Sequence, residues 1–119
     1  PYFSEIYDLK VSSHLLIERD GSLVQFVPFN KKAWHAGVSS FKGRENCNEF
    51  SIGIELEGTD ENTYTEDQYR ALIDVTKELM FVFRDIKKEN IVGHSDIAPG
   101  RKTDPGEAFD WHYYLSNLE

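Results

Sequence analysis

Between Thr65 and Phe83, side chains suited to a core recur three and four residues apart, at Tyr69, Leu72, Ile73, Val75, Thr76, Leu79, Met80 and Phe83. A stripe of this period predicts an amphipathic helix with one face that must be covered. Thr65-Glu66-Asp67-Gln68 supplies its start, an N-cap with glutamine at the third helical position. The covering surface is legible upstream. From Phe50 to Glu57 the chain alternates, with Phe50, Ile52, Ile54 and Leu56 on one face and Ser51, Gly53, Glu55 and Glu57 on the other. From Val11 to Val27 it reads as strand, turn, strand, with Asp20-Gly21 at the turn. A helix packed on a sheet within 119 residues predicts one compact domain over residues 1–119.

The remaining segments are less regular. Pro28 to Glu49 reads as a loop carrying Lys31, Lys32, Trp34 and His35. Asn90-Ile91-Val92-Gly93 reads as a short strand, and the glycines and prolines of His94 to Gly106 predict irregular structure. A last helix is expected from about Glu107 to Leu118, packing through Phe109, Tyr113 and Leu115. A formal charge of −8 argues against a nucleic-acid partner, and no apolar run suits a membrane span. The single cysteine, Cys47, excludes an internal disulfide and suits a reducing compartment, and PYFSEIYDLK has no secretory pattern.

Reactive side chains concentrate in His94, Asp96, Arg101, Lys102 and Asp104. Histidine and aspartate are zinc ligands, and a loop of ten residues lets His94 and Asp104 reach one ion. Lys102 shares a face with Asp104 in an extended stretch and is placed to steady an oxyanion. Glu55 or Glu57, of equal parity on their strand, would serve as proton acceptor. The alternatives are solvated glutamates at a strand end, a loop histidine and a capping aspartate. His35, beside Trp34, reads as a substrate contact or as a ring bonded to loop backbone. His14 reads as structural, His112 as a surface residue and Cys47 as a small packing group rather than a soft ligand.

The stretches VSSHLLIERDGSLVQFVPFNKKAWHAGVSSFKGRENCNEFSIGIELEGTD and GHSDIAPGRKTDPGEAFDW together resemble the 1,6-anhydro-N-acetylmuramyl-L-alanine amidase family of bacterial cell-wall recycling. The resemblance covers nearly the whole chain. It implies an α+β fold with a central mixed β-sheet flanked by helices, shared with phage lysozyme-like amidases and peptidoglycan recognition proteins. It implies a cytoplasmic zinc enzyme acting on anhydro-muramyl peptides, with His94 and Asp104 as Zn2+ ligands and Glu55 and Lys102 as the catalytic pair. It selects Glu55 over Glu57. Trp34, His35 and Asn46 fall in the family's substrate-side loop, with Asn46 where an arginine is expected. The family's first strand, which carries a third zinc-binding histidine, has no counterpart in this sequence, so that ligand is expected upstream of Pro1. A wall-fragment sensor of the same fold, binding without cutting, is the alternative function.

Overall fold

The structure, a computed structural model, describes residues 13–33, 36, 39–45, 47, 50–58 and 63–118. Three short strands form the central sheet: β1 (Leu15–Ile17), β2 (Leu23–Gln25) and β5 (Ile54–Leu56), in the order β2-β1-β5. β1 and β2 are antiparallel and β1 and β5 parallel, with Leu16 opposite Glu55, so the sheet is mixed. Leu15 and Ile17 point into the core, and Ile54 and Leu56, opposite them, pack on the same cluster. The alternation thereby places Leu16 and Glu55 on the other face. The strands are shorter than the alternating runs that announce them. His14 lies just before β1, where its backbone N–H bonds the Gly53 carbonyl at 2.9 Å.

Helix α1 (Glu66–Val82) lies over the sheet. Its start is the expected capping box: Thr65 Oγ1 accepts from Gln68 N, and Gln68 Oε1 accepts from Thr65 N, both at 3.0 Å. Gln68 is also wholly buried, and its amide donates to the carbonyls of Ile17 at 3.3 Å and Glu57 at 2.9 Å. One side chain therefore joins the helix to two strands. Leu72, Ile73, Thr76 and Leu79 carry the buried stripe.

Four expectations are corrected. The loop of residues 28–49 contains a small hairpin, β3 (Ser40–Phe41) with β4 (Arg44–Glu45). Ile91 and Gly93 have extended backbones but pair in no ladder among the described residues, and a 3-10 turn (Lys88–Asn90) precedes them. His94 then opens one turn of helix, α2 (His94–Ile97), within the segment expected to be irregular; its two prolines and its glycines fall after that turn, where they cannot disrupt it. The last helix, α3, spans only Trp111–Ser116, because Asp110 caps it by accepting the Tyr113 N–H at 3.0 Å. That later start turns Tyr114 and Leu118 into the core beside Phe109 and leaves Tyr113 largely exposed.

His14 is structural, as expected. The Gly53 N–H donates to its Nδ1 at 3.1 Å, so the ring proton sits on Nε2 and is donated to the Lys31 carbonyl at 2.6 Å. Cys47 is buried in a second small cluster with Ala36 and Ile97, and His112 is exposed.

Candidate active site

β5 and the 93–105 segment bring three of the anticipated residues together. Ligand atoms of Glu55, His94 and Asp104 all lie within 4.8 Å of one another. Sheet parity left Glu55 and Glu57 equivalent, and the structure separates them. Glu57 is exposed and accepts the Arg19 N–H at 2.7 Å, on the far side of the strand end. Asp96 is likewise committed elsewhere, accepting the Gly93 N–H at 2.9 Å as a local cap.

The backbone explains how His94 and Asp104 meet. Ala98 O accepts from both Arg101 N and Lys102 N, and Gly100, at φ +83°, allows the chain to reverse there. Ser95 N then donates to the Asp104 carbonyl at 3.0 Å, fastening the returning strand of the loop to α2. Gly93 permits the final approach, since a Cβ there would lie 2.5 Å from Pro105 Cδ. The result is a contact of 2.5 Å between His94 Nδ1 and Asp104 Oδ2. The His94 side chain is only 9% exposed and Asp104 36%, so this is a shielded pair.

Each partner shifts the other's titration. The hydrogen bond to Asp104 raises the His94 pKa above 6.5 against the opposing effect of burial, with further help from the charges of Asp104 and Glu55; Lys102 acts in the other direction. The same bond lowers the Asp104 pKa below 3.8 despite its partial burial, and Lys102 adds to the lowering. The charge of Lys102 is thus felt by both members of the pair.

One imidazole nitrogen and two carboxylates form a donor set suited to a borderline cation such as zinc. His94 Nδ1 and Asp104 Oδ2 face each other directly, and a Glu55 carboxylate oxygen lies within reach of both, a convergence of donor atoms that a cation would satisfy. The residues therefore fit a metal. Beside them, the outer edge of β5 lines a cavity of about 940 Å³ whose walls include Ile52, Leu79, Ile91 and Phe109. Trp34, His35 and Asn46, the expected substrate contacts, lie outside the described residues.

Three contributors were missed in the sequence. Gly93 and Ser95 act through a close approach and a backbone N–H, neither of which has a sequence signature. Tyr64, whose hydroxyl donates to the Pro105 carbonyl at 2.8 Å, is signalled only by its place one residue before the helix cap.

Residues 1–107 match the N-acetylmuramoyl-L-alanine amidase family, and the chain belongs to it. It is 63% identical over 111 residues to the 1,6-anhydro-N-acetylmuramyl-L-alanine amidase AmpD of Escherichia coli, covering 93% of this chain and 60% of that protein. To AmpD of Haemophilus influenzae it is 56% identical over 119 residues, covering 100% of this chain and 65% of the relative. The chain thus spans 60–65% of the length of these two relatives. Among solved structures it is similar to the amidase AmiD of E. coli in complex with the substrate anhydro-N-acetylmuramic acid-L-Ala-D-gamma-Glu-L-Lys. That match has a TM-score of 0.88 and 35% identity, over 97% of this chain and 51% of the other. No helix among the described residues is long and apolar enough to cross a membrane.

Proposed function

We propose that the complete protein is a zinc-dependent, cytoplasmic amidase of cell-wall recycling. Its reaction is cleavage of the bond between the lactyl group of (1,6-anhydro-)N-acetylmuramic acid and L-alanine in peptidoglycan fragments. The observation that carries this reading is the convergence of Glu55, His94 and Asp104, with the charge of Lys102 beside them, in a chain of the amidase family. The AmiD relative, solved in complex with an anhydro-muramyl peptide, supports the substrate class.

His94 and Asp104 would hold the zinc. Bound zinc lowers the pKa of water and polarises the scissile carbonyl. Glu55 takes the proton of the attacking water and passes it to the departing alanine nitrogen. Lys102 places its ammonium against the negative charge that grows on the carbonyl oxygen. A third protein ligand comes from outside the described residues; among those described, β5 is an edge strand beside an apolar-walled cavity, which supports this. Trp34, His35 and Asn46 contact the sugar and peptide.

Mass spectrometry of an anhydro-muramyl tripeptide incubated with the complete protein tests the reading. The expected products are the free peptide and the anhydro sugar. Glu55→Gln should retain zinc and lose turnover by about 10²–10⁴-fold. Binding without cleavage by the parent protein would favour a sensor, and normal turnover by Glu55→Gln would remove Glu55 as the base.

A further inference from the structure

Asp104 is held through its neighbours, and one of those holds comes from a distant part of the chain. Tyr64 stands immediately before the Thr65 cap of α1. The helix start is itself fixed to the β1–β2 turn, because Thr65 Oγ1 donates to the Arg19 carbonyl at 2.6 Å. From that anchored position the Tyr64 ring packs edge-on against Phe109, with centroids 5.8 Å apart, and its hydroxyl donates to the Pro105 carbonyl at 2.8 Å. The Pro105 carbonyl lies one peptide beyond Asp104, whose own carbonyl is held by Ser95 N. The two hydrogen bonds grip consecutive carbonyls, and Gly93 leaves room for the Pro105 ring between the site and Trp111.

We propose that Tyr64 is a positioning residue for the metal-ligating carboxylate of Asp104: its hydroxyl, anchored by the start of α1, fixes the second peptide after the ligand, that of the Pro105 carbonyl. This rests on the reading of Asp104 as a ligand. The Ser95 bond holds the carbonyl of the Asp104–Pro105 peptide and the Tyr64 bond that of the next, so loss of the hydroxyl leaves the segment with one hold instead of two and loosens the carboxylate while the fold persists. Tyr64 lies in the connection between sheet and helix, and so it ties the docking of α1 to the metal site. Groups that orient a ligand commonly change metal affinity by about 10–100-fold, and a grip one peptide removed belongs at the lower end.

The test substitutes cobalt into the complete protein, because visible absorption of cobalt reports the arrangement of its ligands. Tyr64→Phe should raise the cobalt dissociation constant about tenfold and alter the absorption bands. Tyr114→Phe is the control. It removes another tyrosine hydroxyl, bonded to Thr76 Oγ1 at 2.6 Å in the core, and should lower the melting temperature while leaving affinity and spectrum at parental values. Parental affinity and spectrum in Tyr64→Phe would overturn the proposal, as would equal changes in Tyr114→Phe. Asp104→Asn separates the premises. If it keeps parental cobalt affinity, the ligand reading fails and the proposal with it; if it loses cobalt while Tyr64→Phe does not, only the role of Tyr64 is refuted.

Discussion

Replacing Gly93 by alanine should damage the site and the fold together. The added methyl would lie 2.5 Å from Pro105 Cδ and 3.3 Å from both the Asp104 carbonyl oxygen and the Trp111 ring. Carbon atoms in contact sit about 3.5–4.0 Å apart, so the proline ring must retreat by about 1 Å. Forcing a methyl into a packed site costs about 1–3 kcal/mol. For a domain of this length each kcal/mol is about 4 °C in melting temperature, giving a fall of about 4–12 °C. Gly93 has φ −96° and ψ 166°, an extended backbone that alanine adopts without strain, so the loss measures crowding alone. Pro105 cannot move without Asp104, and a displacement of about 1 Å at a catalytic group costs about 10²-fold in rate. Circular-dichroism melting and turnover of an anhydro-muramyl peptide read the two effects. A Gly93→Ala protein that melts and turns over like its parent would refute the packing argument.

Gln68→Leu fills the volume but takes the amide donor from the Glu57 carbonyl, leaves the Ile17 carbonyl with the Glu57 N–H alone and strips the Thr65 N–H of its acceptor, and should cost about 2 kcal/mol in urea unfolding. Thr65→Ala, which removes the cap acceptor and the hydroxyl donor to the Arg19 carbonyl, should cost about 2 kcal/mol in the same experiment. In metal-free protein the His94–Asp104 pair contributes fully only between about pH 3.8 and 6.5. The contribution fades above this window as His94 loses its proton at a raised pKa, and below it as Asp104 gains one at a lowered pKa; urea midpoints of the parent and Asp104→Asn across pH should converge on both sides. Zinc competes with the proton on His94, so zinc affinity measured by chelator competition should weaken as pH falls from 8 to 6.

The parts of the fold that the sequence made legible are those with a repeating signature. The α1 stripe and its capping box were legible because period and cap are local. The hairpin was legible through Asp20-Gly21, but strand lengths were overestimated: alternation reports a buried face, whereas a ladder also needs a neighbour. The α2 turn was missed because a single helical turn shows no period, and Tyr113 was mistaken for Tyr114 because the register of a short helix depends on its cap. At the site, residue chemistry suggested His94, Lys102 and Asp104, whereas strand parity could not part Glu55 from Glu57, a choice made by the family resemblance and visible in the packing. Gly93, Ser95 and Tyr64 act through space and through backbone atoms, which spacing along the chain does not encode.

The parallel pairing of β1 with β5 carries a kinetic consequence. Residues 18–53 intervene between the two strands, so Glu55 reaches its place opposite Leu16 only after that long excursion has been closed. Closing it costs about 3 kcal/mol of chain entropy, whereas the β1–β2 hairpin, bridging only residues 18–22, costs about 1.4 kcal/mol. The hairpin and α1 are local and can assemble early, whereas the β5 pairing is a distant contact and comes late. The proposed general base thus sits on a late-arriving strand, and catalytic competence should lag behind the recovery of helical signal when the protein refolds.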